Sequence, residues 1–248
     1  MRIYFRGNLY GCNQATAFVE DKGKIIFIGS DKEALKYSGE QIDLNNKYVY
    51  PGFNDSHMHL VNYGQSLKNV LLEKHTNSLK ALLEELKKYL VKGQWLIGRG
   101  WNHDYFTDEQ RFPTRKDLDM ISEEEPIVIT RTCGHILVAN SKAIELANIT
   151  SEAVEGGYFD LDAGLFQENA LYLIYDTIPQ PTIEEIKDNI LIAQKELHSY
   201  GITSVQSDDL LSATSDYHDA LQAFEQLRAE NKLTIRVYEQ AQLPTLKA

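Results

Sequence analysis

The sequence predicts an α/β protein built on a parallel sheet, with a strand-rich segment in front of it. Three observations predict this. Residues 1–50 read as short alternating strands and turns. After residue 50, strand-like runs alternate with amphipathic helical runs, the pattern of βα units. The chain has 248 residues, of which 43% are hydrophobic and 10% aromatic, enough to bury a core.

Taken in order, "RIYFRGNLYG" alternates polar and apolar residues up to Gly11. "ATAFVEDKGKIIFIGS" reads as two strands around Asp21-Lys22-Gly23, a hairpin turn. Pro51-Gly52 punctuates the change of pattern, which divides the chain into residues 1–50 and 51–248. "NSLKALLEELKKYLVKG" places Leu79, Leu82, Leu83, Leu86 and Leu90 on one helical face, with Asn77 or Ser78 as cap and Gly93 as stop. "WLIGRG" and "PIVITRT" read as buried strands. "PTIEEIKDNILIAQKELHSYG" opens on a capping box, Thr182 to Glu185, and closes at Gly201. "ITSVQ" is the next strand, residues 217–227 carry a further apolar stripe, and "LTIRVYEQ" is the last strand.

Charge and composition narrow the function. The formal net charge is −11 and no Lys/Arg cluster makes a basic face, which argues against nucleic acid as partner. No apolar run approaches the ~18 residues of a membrane span, and the N-terminus lacks the apolar core of a signal peptide. The two cysteines, Cys12 and Cys133, make no disulfide framework. The expectation is a reduced, cytoplasmic protein acting on a small molecule.

In a βα barrel the chemistry sits where strands end and loops begin. Those ends carry His57 and His59, then Trp101, Asn102, His103 and Asp104, then Cys133 and His135, then Asp208 and Asp209, then Glu239 and Gln240. Within "YVYPGFNDSHMHL" two of the seven histidines lie two residues apart. Residues two apart on a strand share a face, so His57 and His59 project together toward one metal ion, with Asp55 one pleat earlier to support a ligand or its loop. A bare His-x-His is also what two unrelated histidines near a turn look like.

The flanking residues add to this. "PGFNDSHMHL" resembles the Pro-Gly-Phe-x-Asp-x-His-x-His element of the amidohydrolase superfamily. "WLIGRGWNHDYF", "IVITRTCGHILVANSKAIELANI", "GLFQENAL" and "GITSVQSDD" are similar to stretches of its amidohydrolase-3 (YtcJ-like) branch. Asn54 departs from the pattern, which usually has an apolar residue there. The resemblance implies the first half of a (β/α)8 barrel of the TIM type, preceded by a small β-sandwich portion at 1–50. It implies His57 and His59 as ligands of a divalent metal, zinc by preference, as one or two ions. The implied activity is hydrolysis of non-peptide C–N bonds, of the amide type, through a metal-activated water. His135 and Glu168 fall in family motifs and are expected in or behind the substrate pocket, with Trp101, His103 and Asp208 as further candidates.

The family's bridging lysine, further histidines and catalytic aspartate match nothing here, so the expectation is an incomplete, N-terminal half with little activity of its own. An inactive remnant or interaction module is the alternative, and a metal-dependent deaminase a further one. An open barrel edge after "LTIRVY" would favour self-association. His75, His198 and His218 read as solvated, Cys133 as a buried small side chain, and Asp208 and Asp209 as caps of the helix that follows them.

Overall fold

The computed structural model describes residues 1–75, 77–210 and 216–240, His75 by its backbone only. The described chain divides into two compact units, the first formed by Met1–Asn54 and Gly201–Ser204 and the second by the remainder. His75 as a solvated side chain thus lies outside the described residues.

The first unit holds β1 (Arg2–Phe5), β2 (Asn8–Leu9), β3 (Ala17–Asp21), β4 (Lys24–Gly29), the short α1 (Asp31–Ala34), β5 (Glu40–Asp43) and β6 (Tyr48–Val49). Four strands form a sheet in the order β4-β3-β1-β5, and β2 pairs with β6 separately. The β3–β4 hairpin is antiparallel, with Asp21 opposite Lys24. Lys22 and Gly23 both take positive φ, 50° and 79°, as a two-residue turn matched to strand twist requires. Ile3, Ala17, Val19 and Ala34 form its small core, flanked by Phe5 and Phe27.

β7 (Phe53–Met58) leads into α2 (Leu60–Lys68), the short β8 (Val70–Leu71) and α3 (Leu79–Lys87). Ser78 caps α3 by accepting the Ala81 N–H at 3.1 Å, and Leu79, Leu82 and Leu86 are buried. The helix stops at Lys87, before Gly93. Then come β9 (Leu96–Trp101), α4 (Arg115–Asp119), β10 (Ile127–Arg131), β11 (Ile136–Ala139), α5 (Ser141–Ala147), β12 (Gly157–Asp160), β13 (Leu165–Glu168) and α6 (Tyr172–Tyr175). α7 (Ile183–Ser199), β14 (Ile202–Ser207), α8 (Tyr217–Ala229) and β15 (Arg236–Glu239) complete the described chain. The Thr182–Glu185 capping box starts α7, and Gly201 follows it at φ 78°. Gly64 lets α2 lie close on α7, since a Cβ there would stand 2.0 Å from the Asn189 carbonyl oxygen. None of the described helices is long and apolar enough to cross a membrane.

The fold is mixed α/β, and the single parallel sheet expected from the alternation is not what forms. "WLIGRG" and "IVITR" join a six-stranded mixed sheet in the order β12-β13-β11-β10-β9-β8. β8, β9 and β10 are parallel, whereas β11 runs antiparallel to β10 and to β13. The reason is connection length. Only residues 132–135 join β10 to β11, and a parallel return needs a crossover of about a dozen residues or more. Both faces of this sheet are apolar, one carrying Leu96, Trp101, Ile127 and Ile129, the other Val128, Leu137, Ala139 and Phe166. β7 belongs to a different, three-stranded sheet in the order β15-β14-β7. Phe53 N–H donates to Gly201 and Asp208 N–H to Met58, so β7 and β14 advance together as parallel strands.

Candidate functional site

His57 lies near the end of β7, and His59 is the N-cap of α2 with extended backbone, φ −117° and ψ 90°. Their ring centroids are 5.5 Å apart with the planes at 77°. Asp55 turns its carboxylate to its own strand, where Oδ1 accepts the His57 N–H at 3.1 Å. His59 donates Nδ1–H to the carbonyl oxygen of Asp208 at 2.5 Å. A carbonyl only accepts, so this bond places a proton on Nδ1.

Behind the histidines lies a buried polar chain. Leu60 N–H donates to Ser207 Oγ at 2.8 Å and Val61 N–H to Asp209 Oδ1 at 2.9 Å. The Ser207 hydroxyl donates to Asp209 Oδ2 at 2.5 Å, and Asp209 N–H donates to Glu239 Oε1 at 2.7 Å. Ser207 and Asp209 are fully buried. Asp209 therefore caps α2, which precedes it, and not the helix that follows it. That helix, α8, takes Asp216 as its cap, accepting the His218 N–H at 3.0 Å. The free N–H groups of a helix start explain the choice: α2 presents two of them to Ser207 and Asp209 at the end of the neighbouring strand. Burial pushes the Asp209 carboxyl up, against the bonds from Ser207 and Val61. Burial, then the charge of Asp209, push Glu239 up to about 8. Glu239 Oε2 is buried and has no hydrogen-bond partner among the described residues.

The other candidates form two separate groups. Trp101 is fully buried in the core, so it packs and lines no surface. Gly100, at φ 101°, sits where the β9–β10 register slips, which turns Trp101 onto the face of Leu96 and Ile129. The His103 ring meets Phe112 edge-on at 4.4 Å, and its Nε2 lies 3.3 Å from Asp104 Oδ1. Arg131 reaches Asp104 at 2.7 Å and Asn102 at 2.9 Å.

His135 and Glu168 pair through Nδ1 and Oε2 at 2.9 Å, both exposed. Glu168 holds φ 52° and ψ −128°, a backbone region that favours glycine. Cys133 is exposed, contrary to the buried side chain expected of it. It sits in the four-residue return from β10 to β11, where no core layer covers it. Desolvation alone would raise the Cys133 thiol, but the backbone N–H of His135 and the Arg131 guanidinium pull it below its usual value. His198 and His218 are exposed, each hydrogen-bonded, to Thr234 and Asp216.

Sequence reasoning gave Ser207 no role and Glu239 only a place at a strand end. A polar residue closing a strand was the signal for both, but the partner of Ser207, the first turn of α2, lies 147 positions away, and that of Glu239, the Asp209 N–H, lies 30 positions away on another strand end.

The family model described as "Amidohydrolase family" matches residues 40–247. YtcJ of Bacillus subtilis (strain 168), an amidohydrolase by name, is 31% identical over 92% of this chain and 45% of its own length. The N-substituted formamide deformylase of Arthrobacter pascens is 29% identical over 60% of this chain and 29% of its own. The crystal structure of an uncharacterised metal-dependent hydrolase from Pyrococcus horikoshii OT3 superposes with a TM-score of 0.76 and 32% identity, covering 97% of this chain and 48% of that one. The chain spans about half the length of the curated relatives it matches.

Proposed function

Because the chain belongs to the amidohydrolase family, we propose that it forms the first part of the catalytic domain of a metal-dependent hydrolase of non-peptide C–N bonds. Residues 1–50 are the β-sandwich portion, and β7, β14 and β15 begin a (β/α)8 barrel within residues 51–248. The observation that carries the reading is the pair of imidazoles, 5.5 Å apart ring to ring at the end of β7, with the His59 Nδ1–H committed to the Asp208 carbonyl. Two neutral imidazoles suit zinc and similar divalent ions. A cation bound there supplies polarisation of the scissile carbonyl and activation of a water.

The chain's own residues hold the ligands. Asp55 fixes the His57 backbone, Asp208 sets the His59 tautomer, and Asp209 and Ser207 secure the turn that carries His59. His135 and Glu168 contribute to the substrate pocket as a bonded pair, with His103 as a further pocket residue. Among the described residues no three His, Cys, Asp or Glu side chains are grouped to hold a metal. A catalytic zinc usually has three protein ligands, so the 248-residue chain alone binds metal weakly and turns over almost nothing. The name of the Arthrobacter relative supports N-formyl compounds and simple amides as first substrates.

The test is elemental analysis of the purified chain, with hydrolysis assays on amides and N-formyl amines. Tight stoichiometric metal with substantial turnover would show that the site is complete within these residues. No metal at any concentration, for the wild type and for a longer chain alike, would sink the reading. We also place the protein in the cytoplasm and expect self-association at the outer edge of β15, where Tyr238 is exposed. Size-exclusion chromatography at rising concentration checks the latter, and a strictly monomeric chain removes it.

A further inference from the structure

We propose that Glu239 is a positioning residue for His59, acting through a single peptide group, the one between Asp208 and Asp209. The C=O of that peptide accepts His59 Nδ1–H at 2.5 Å, and its N–H donates to Glu239 Oε1 at 2.7 Å. A peptide group is planar and trans, so fixing the direction of its N–H fixes the direction of its C=O. Glu239 therefore aims the carbonyl that sets the His59 tautomer. Its two bonds polarise one another, as consecutive hydrogen bonds through an amide do. The same turn is anchored on its other side, where the Asp209 side chain and Ser207 take the N–H groups of Val61 and Leu60.

The inference depends on reading His59 as a ligand and goes beyond it, by assigning work to a residue about 180 positions away that would never touch the metal. It also accounts for a glutamate held partly out of water with one oxygen unpartnered among the described residues. What the relay needs from Glu239 is an acceptor at Oε1. With its carboxyl raised to about 8, the side chain is largely a neutral acid at pH 7 and glutamine is its isostere.

The experiment follows the His59 ring in the full 248-residue chain without metal, by 15N NMR of labelled histidine assigned with H59Q, and then titrates zinc by calorimetry. We expect wild type and E239Q to show the Nδ1–H tautomer, and E239L to show a mixture of tautomers. Zinc affinity should fall by ~10–100-fold in E239L and stay near wild type in E239Q, the range seen when partners behind metal ligands are removed. If E239L does not fold, E239D replaces it, since the shorter side chain withdraws the acceptor while keeping the carboxyl. A His59 tautomer and zinc affinity unchanged in E239L overturn the proposal. So does an E239Q as impaired as E239L, because the carboxyl would then act by its charge. Should wild type bind no zinc, the metal reading fails, and the NMR arm still decides the relay.

Discussion

At the ends of β7, β14 and β15 two exposed histidines rest on a polar chain whose Ser207 and Asp209 are buried and bonded to backbone, whereas at the ends of β10 and β13 the polar groups are exposed and held by one another. Both regions carry a histidine hydrogen-bonded through Nδ1, His59 to the Asp208 carbonyl and His135 to the Glu168 carboxylate. The partners differ in what they fix. A carbonyl settles the tautomer and cannot titrate. A carboxylate side chain at the surface is itself free to turn toward solvent or another donor. The first arrangement suits a ligand held in one state. The second suits a side chain that meets different substrate groups.

The largest expected difference is in stability. D209A removes the acceptor of Val61 N–H and of the Ser207 hydroxyl inside a fully buried site. Each stranded buried donor costs ~1–3 kcal/mol, so a loss of about 2–4 kcal/mol and a Tm lower by roughly 5–15 °C are expected. H135A breaks only an exposed pair and should stay within ~0.5 kcal/mol of wild type. Thermal unfolding by circular dichroism measures both, and equal losses would erase the contrast.

The exposed region should instead yield stability when its strain is relieved. Glu168 pays for its φ of 52° and ψ of −128°, at an estimated cost of ~1–3 kcal/mol. E168G removes that strain and adds ~0.5–1 kcal/mol of chain entropy to the unfolded state. A net gain of about 1 kcal/mol is expected, at the expense of the His135 partner. An E168G chain less stable than wild type would mean that the backbone there is relaxed.

The third contrast appears with pH. Glu239 is raised from 4.5 to about 8 on folding, so between those values the folded state holds a proton that the unfolded chain releases. Stability from this group is present below pH 4.5 and is lost as pH rises toward 8. Asp209, raised by burial, acts in the same direction. Wild type should therefore lose Tm between pH 5 and 8 more steeply than E239Q, and parallel curves would show that Glu239 titrates normally.

How much of this was legible in the sequence depends on range. The β3–β4 turn was readable from Lys22-Gly23 and the start of α7 from Thr182 and Glu185, because each device is completed within a few residues. The His57/His59 pair was readable for the same reason. Periodicity also marked Leu82, Leu86 and Ile129 for burial, but it does not say which strand lies beside which. "WLIGRG" and "ITSVQ" look alike as buried strands and belong to different sheets. The return over residues 132–135 was short enough to announce an antiparallel pair, and that signal was there to use. The support of His59 was not legible, because it joins residues 59, 208 and 239, and nothing local at any of them names the others.

The smallest expected effect concerns the thiols, and it tests whether the exposed region is electrostatically active. Cys133 is exposed, with its thiol drawn below the usual value by the His135 N–H and the Arg131 guanidinium against the cost of desolvation. Cys12 is half-buried. The thiolate is the nucleophile, so at pH 7 iodoacetamide should alkylate Cys133 roughly several-fold faster than Cys12. Exposure alone would also favour Cys133, and R131Q separates the two causes. It leaves the thiol exposed but removes the cation, so labelling should slow toward that of an ordinary thiol while Cys12 is unaffected. The rates come from mass spectrometry of quenched time points. If R131Q labels as fast as wild type, the return between β10 and β11 is merely open to solvent, and the contrast between the two regions is one of burial rather than of charge.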